Sequence, residues 1–415
     1  MPRPALSSFL RGSGSIAIAM AVMSVSTYGF TVIAAHILGP QPYGALAGLM
    51  NTLLIVGVVQ LGLQATAARR ISAEPEHVSQ IEAAIVRVTT RSAWTLGALL
   101  LVLSPLLDTI LRLDSIPTAA LIGVTAVPMT IMGGQAGILQ GERRWMPLSL
   151  VYIAAGLPRL VLGTLLMVWW PNELAAMVGV TIASFAPVVV GWWALRGGHE
   201  PGALSAEHRS AAVIKETAHN SQALLAFFAL SNVDIIVARN VLSPHQAGLY
   251  AGGLILAKAV LFLPQFVVVI AFPSMSTLES RRRALVQSLA LVAALGAVSS
   301  LAAWLLSSWA LLFVGGSQYA DIQDRLWMYA VLGTALSMLQ LLVYSVIARR
   351  GHLSTYALWF GLAVLVGVGL TIHRLNQLLS LVVAVDLVLC AALLFVSMAR
   401  LREPAPSPAG APPAA

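Results

Sequence analysis

Charge in this chain is confined to narrow places. Eighteen of its 24 lysines and arginines fall in alternate gaps between about twelve long apolar segments. The segments run 14–38, 44–68, 92–111, 118–139, 146–169 and 174–195 in the first half. In the second they run 221–242, 247–272, 285–307, 326–347, 354–372 and 375–398. Each is near the roughly 20 residues a helix needs to cross the hydrocarbon core. Lipid offers backbone groups no water, so only helices or closed barrels span it, and segments of this length predict helices. An even number of spans returns the chain to its starting side. The eighteen basic residues, among them Arg69, Arg70, Arg143, Arg144 and Arg281 to Arg283, share that side with both termini. Arg112, Arg239, Arg325 and Arg374 fall on the other, and Arg159 and Lys258 inside spans. Such a split places both termini in the cytoplasm of a cell (inner or plasma) membrane. The net charge of +8 then serves topology and attraction to anionic inner-leaflet lipid, and no nucleic acid is implied.

Composition excludes a large soluble domain: 58% of residues are hydrophobic and 10% charged. The expected organisation is a cytoplasmic N-terminus (1–13), a first six-helix bundle (14–195), a cytoplasmic linker (196–220), a second bundle (221–399) and a disordered cytoplasmic tail (400–415). Arg3 and Arg11 before the first apolar run resemble a signal peptide, but a run of about 25 residues exceeds the usual h-region of about 7–15. Cys390, the single cysteine, permits no disulfide framework and no thiol pair for a metal, and reads as a small buried apolar residue. No HExxH, GxSxG or GxxxxGK[ST] pattern occurs, and the longest outer loop, around Gly315 to Asp324, is too short for an enzyme domain. No catalytic residue, cofactor or metal is therefore expected. Arg69 to Arg91, with Ile71, Val78, Ile81, Ile85 and Val88, suits either a helix lying on the inner interface or a solvated loop.

The two halves repeat each other. Leu38, Pro40, Gly44, Ala47 and Gly48 recur at a constant offset of 204 as Leu242, Pro244, Gly248, Ala251 and Gly252. Both copies travel in the same direction from the same side. The repeats are thus parallel, related by an axis along the membrane normal, an arrangement common in secondary transporters.

The residues that open the second half resemble a known family. Asn232-Val233-Asp234-Ile235-Ile236-Val237, Leu242-Ser243-Pro244, Ala247-Gly248-Leu249-Tyr250-Ala251, Leu263-Pro264 and Phe272-Pro273 are similar to the seventh and eighth helices of the polysaccharide-transport lipid flippases of the multidrug/oligosaccharidyl-lipid/polysaccharide exporter superfamily. Leu38-Gly39-Pro40, Tyr43-Gly44, Gly62-Leu63, Ala67-Ala68-Arg69-Arg70 and Leu139-Gln140-Gly141 resemble its first half, and Gly315 to Tyr319 matches loosely. The resemblance implies an all-α integral membrane fold, two six-helix bundles around a central cavity that alternate in access. It also implies translocation of a lipid-linked (polyprenyl-diphosphate) oligosaccharide from the inner to the outer leaflet. The expected partners are that substrate and membrane lipids, with a functional link to glycosyltransferases and a polymerase. A monomer is expected. The rival inside the superfamily is a proton- or sodium-coupled antiporter of drugs and cations. A membrane-embedded glycosyltransferase would need larger outer loops.

A sugar-diphosphate head cannot cross hydrocarbon unaided, so ionisable residues within spans are candidates for function. Arg159 shares a helix face with Tyr152, Gly156 and Gly163. It either binds a diphosphate oxygen pair bidentately or pairs with a carboxylate for packing. Lys258 and Asp234 lie within roughly 5 Å of each other in depth at about 1.5 Å per residue. As a pair they are inert; apart, Lys258 is a phosphate contact and Asp234 a cation site or gating acid. Asp386, one turn before Cys390, is either a proton carrier or a hydrogen-bonded bundle residue.

Overall fold

The structure, a computed structural model, describes residues 13–197, 210–261, 278–347 and 352–400, and all regular structure among the described residues is helical. The first half comprises α1 (Ser13–Leu38), α2 (Pro40–Val56), α3 (Val58–Ala73), α4 (Val78–Val102), α5 (Ser104–Leu111), α6 (Ile116–Gly141), α7 (Trp145–Trp169), α8 (Glu173–Ala183) and α9 (Phe185–Ala194). The second comprises α10 (Ser210–Val241), α11 (Pro244–Leu261), α12 (Leu278–Leu305), α13 (Ser307–Val314), a 3₁₀ helix (Gly316–Arg325), α14 (Leu326–Ile347), α15 (His352–Gly369) and α16 (Leu375–Arg400). Ten helical stretches among the described residues are long and apolar enough to cross a membrane, and Thr355–Gly369 is a shorter apolar helix. The remainder of the eighth predicted span, beyond α11, lies outside the described residues, as do Leu263, Pro264, Phe272 and Pro273 of the family-like motifs.

Local chemistry sets the helix ends. Gly39 takes a φ of 69°, which lets α1 stop and α2 begin with Pro40 in its first turn, where a missing N–H costs nothing. Asn172 caps α8 by accepting from the Ala175 amide at 2.8 Å.

Packing depends on small residues, because lipid gives helices no hydrophobic reason to associate. Gly133, Gly137 and Gly141 form a stripe along α6 that receives the backbone at Gln60 and Gln64 and the Ile71 side chain of α3. Gly156 and Gly163 of α7 sit against Met23 and Phe30 of α1. In the second half Gly333 of α14 lies on the Ala257 backbone of α11, and Gly253 leaves room for the Tyr329 ring. Trp169, Trp170, Trp192, Trp193, Trp304 and Trp309 are all exposed near helix ends, as an interfacial aromatic belt requires.

The halves meet through α2, α10 and α11, and their contact is tight on the arginine-poor side. Gly44 and Gly248, equivalent positions of the repeat, touch: a Cβ on Gly44 would lie 2.8 Å from the Gly248 Cα, and one on Gly248 1.8 Å from the Pro40 carbonyl oxygen. Arg239 of α10 donates to the carbonyls of Leu111 and Arg112, and Asn240 to that of Ile110 at 2.6 Å, so second-half side chains cap the C-terminus of α5. The Tyr319 hydroxyl donates to the Ala35 carbonyl at 3.4 Å and Tyr28 to that of Ile255 at 3.1 Å. On the arginine-rich side Arg69 and Arg70 both bond Glu216.

Several predicted boundaries move. Arg69 to Arg91 is neither a flat interfacial helix nor a loop: α3 and α4 continue past their spans and join through a single 3₁₀ turn, Pro75–His77. The second span bends at Gly57, the third and sixth are divided at Leu103 and Ser184, and the ninth ends at Leu306, beyond which the short α13 continues the apolar run. Helix α10 begins at Ser210, well before residue 221, because its first turns pack on α3 through Thr217, which donates to Thr66 at 3.1 Å. Arg239, read from the sequence as an outer-side charge, is 5% exposed.

Candidate functional site

Two polar clusters occupy apolar surroundings, one where helices of the two halves approach and one within the second half. The first surrounds Lys258 on α11. Its ammonium donates to Asn51 Oδ1 of α2, across the boundary between halves, and to Asn232 Oδ1 of α10 at 3.4 Å. Both asparagines are oriented by their own helices. Asn51 Nδ2 donates to the Ala47 carbonyl at 2.7 Å and Asn232 Nδ2 to that of Phe228 at 2.8 Å, which turns each amide oxygen outward. The lysine is thus hydrogen-bonded to neutral oxygens; Asp234 is within electrostatic reach of it, but no carboxylate lies within ion-pair distance among the described residues.

The second cluster lies inside the second half. Tyr250 of α11 donates to Asp234 Oδ2 of α10 at 2.8 Å and stacks edge-on against Tyr329 of α14, with ring centroids 5.9 Å apart. Asp386 of α16 is within electrostatic reach of Asp234 and Tyr250. All four are buried. Asp234 Oδ1, the Tyr329 hydroxyl and Asp386 Oδ1 have no hydrogen-bond partner among the described residues. Four helices therefore bring two carboxyls and two phenols together with three polar atoms left over, where unpaired buried groups are costly.

Of the residues singled out in the sequence, Asp234, Lys258 and Asp386 fall in this neighbourhood, and Arg159 does not. The Asp234–Lys258 ion pair is not formed; Tyr250 and the two asparagines take those positions. Arg159 is on α7, in the first half. The glycines beside it receive Met23 and Phe30 of α1, and Arg159 Nε is buried without a hydrogen-bond partner among the described residues. Tyr152, on the same face, receives a hydrogen bond from Gln64 at 2.8 Å. Cys390 is buried, as a small apolar residue should be. Asn51 and Tyr329 carry no charge and were missed by the sequence reading, which named Tyr250 only within a family-like motif and gave it no site role. The signal available was a lone amide or phenol in an otherwise apolar span. No group of three His, Cys, Asp or Glu among the described residues is arranged to ligate a metal.

Two helical halves built from many helices long and apolar enough to cross a membrane define a multi-pass membrane protein, and similar solved structures share its fold. An inward-facing multidrug resistance MATE family transporter of the MOP (multidrug/oligosaccharidyl-lipid/polysaccharide exporter) superfamily superposes with a TM-score of 0.72 at 14% identity, covering 93% of this chain and 98% of that one. An outward-facing MATE family structure gives 0.58 at 14% identity, covering 97% and 100%. A MOP superfamily transporter from Pyrococcus furiosus, described as having a binding pocket of reverse polarity, gives 0.59 at 13% identity, covering 97% and 99%. Comparison with curated proteins gives no match. Residues 9–279 match the model of the polysaccharide biosynthesis protein family, and the chain belongs to that family.

Proposed function

We propose that this transporter flips a lipid-linked, polyprenyl-diphosphate oligosaccharide from the inner to the outer leaflet of the cell membrane by alternating access, for cell-surface polysaccharide biosynthesis. Its arginine-rich side and both termini face the cytoplasm. The carrying observation is Lys258, an ammonium at the junction of the halves that neutral amide oxygens orient without neutralising. A diphosphate entering the junction finds a cation whose charge is still available. Arg159, without an ion pair among the described residues, is the second phosphate contact, within the first half. Asp234 and Asp386, with Tyr250 and Tyr329, form the coupling element. There a proton or small cation supplies the missing partners of Asp234 Oδ1 and Asp386 Oδ1, and the change in charge biases how α10, α11, α14 and α16 pack. An antiporter of cationic drugs would instead want its carboxylates at the junction, where this chain has an ammonium. Glycosyltransferases would supply the substrate and a polymerase would consume the product.

The test is the leaflet distribution of lipid-linked oligosaccharide, read with a membrane-impermeant glycan-modifying reagent in cells depleted of the protein. Depletion should strand the lipid-linked glycan inside; an unchanged distribution returns the antiporter reading. In complemented cells Lys258→Ala and Arg159→Ala should each insert normally and slow flipping about tenfold or more, the worth of one charge-assisted hydrogen bond. Undiminished flipping in both variants removes the site assignment.

A further inference from the structure

The flank of the first half carries a groove remote from the transport site. It has a volume of about 470 Å³ and lies between α4, α6 and α9, with walls that include Glu82, Val86, Ile131, Val189, Trp192 and Arg196; neither α10 nor α11 contributes to it. A shallower depression of about 620 Å³ continues from it over Arg87 and Arg91, sharing Glu82, Val86 and Thr90. Thr89 lies against Gly134 and Gln135 against Gly191, so the floor is one to two turns inside the arginine-rich ends of α6 and α9. At about 1.5 Å per residue that depth is roughly 10 Å, the zone where lipid head groups give way to acyl chains.

We propose that this groove binds one anionic glycerophospholipid, its phosphodiester held by Arg196 with Arg87 and Arg91 and an acyl chain along Val86, Ile131 and Val189. Charge selects this occupant. The three guanidiniums form no ion pair among the described residues, and Glu82 is the single carboxylate in the lining. Three cations suit an anion. The groove lies apart from the junction of the halves, so a bilayer phospholipid, and not the proposed diphosphate substrate, is its occupant, and the unpartnered polar atoms of its floor suit the hydroxyls of a monoanionic phosphoglycerol. The site is also built. The Arg196 guanidinium lies 3.6 Å above the Trp192 ring centroid, a stack that fixes its plane and leaves its N–H edge for a phosphate. Val86, Val189 and Trp192 are exposed on the walls, and in the floor Thr89 Oγ1 and Gln135 Oε1 are buried with no partner among the described residues, ready for a hydroxyl.

Native mass spectrometry of the full-length protein in detergent, titrated with phosphatidylglycerol, phosphatidylethanolamine and phosphatidylcholine of matched chains, tests this directly. One phosphatidylglycerol should be retained ahead of the others, and a polyprenyl diphosphate should not displace it. Arg91→Gln combined with Arg196→Gln should weaken that first site about tenfold. Val189→Trp fills the groove without touching a charge and should do the same; should the double variant not purify, Val189→Trp decides alone. Equal retention of the three lipids, preference for phosphatidylethanolamine, displacement by the polyprenyl diphosphate, or an unchanged first site in Val189→Trp would each overturn the proposal.

Discussion

Lys258 shows how a span can hold a cation without extinguishing it. An amide oxygen stabilises an ammonium far less than a carboxylate does, so on the proposed reading the group keeps attraction for an incoming anion while its direction is set by Asn51 and Asn232. Replacing Asn51 by Asp should reverse this balance. The new carboxylate would pair with Lys258 across the two halves, hold them together, and slow flipping about tenfold or more while raising thermal stability; faster flipping would contradict the assignment. Arg239 is a different use of charge. Its guanidinium closes the carbonyl end of α5, and Arg239→Ala should cost about 1.5–3 kcal/mol in detergent unfolding, as loss of a charged hydrogen-bond donor does. The sequence made Lys258, Asp234, Asp386 and Arg159 conspicuous because a charge in an apolar run stands out. It hid the roles of Tyr250 and Tyr329, which look like ordinary core residues until α11 and α14 are placed side by side, and it misplaced Arg239. Two residues from a span end, an arginine reads as a topology signal, and only the long-range contact with α5 shows otherwise.

Helices were legible to the extent that hydropathy determines them. Residues 326–347 and the start of the last span coincide with α14 and α16. The breaks at Gly57, Leu103 and Ser184 were not legible, since both sides of each break are equally apolar and a window that measures transfer to lipid passes through unchanged. The extensions of α3 and α4 beyond the apolar runs were hidden for the opposite reason: charged turns there read as loop, although helix hydrogen bonds continue through them. The glycine stripe of α6, at a spacing of four residues, went unread in the sequence and became evident once α3 was placed against it. Gly137 lies where the Gln64 carbonyl oxygen would be 2.5 Å from a Cβ, so Gly137→Leu should force α3 away from α6. Overpacking of this kind costs about 1–3 kcal/mol, and a lower unfolding temperature in detergent with loss of first-half cross-links between α3 and α6 would register it.

The halves are closed on the arginine-poor side by elements drawn from both: Gly44 on Gly248, Arg239 on the end of α5, Tyr319 on the end of α1. The proposed alternating-access cycle needs this closure to part and reform. Gly248→Val should prevent it from reforming: spin labels on the arginine-poor ends of α2 and α11 should report a longer distance, with flipping reduced and insertion intact. An unaltered distance distribution would show that the glycine contact does not control closure. The same contact carries a historical consequence. Position 44 meets position 248, its own counterpart, which is the signature of an isologous interface in a symmetric dimer. Two copies of a six-helix ancestor, meeting through one self-complementary glycine patch, would have needed only the covalent join now spanning residues 196–220 to become this chain. After that join each side was free to diverge, and Lys258 stands in one half where Leu54 stands in the other.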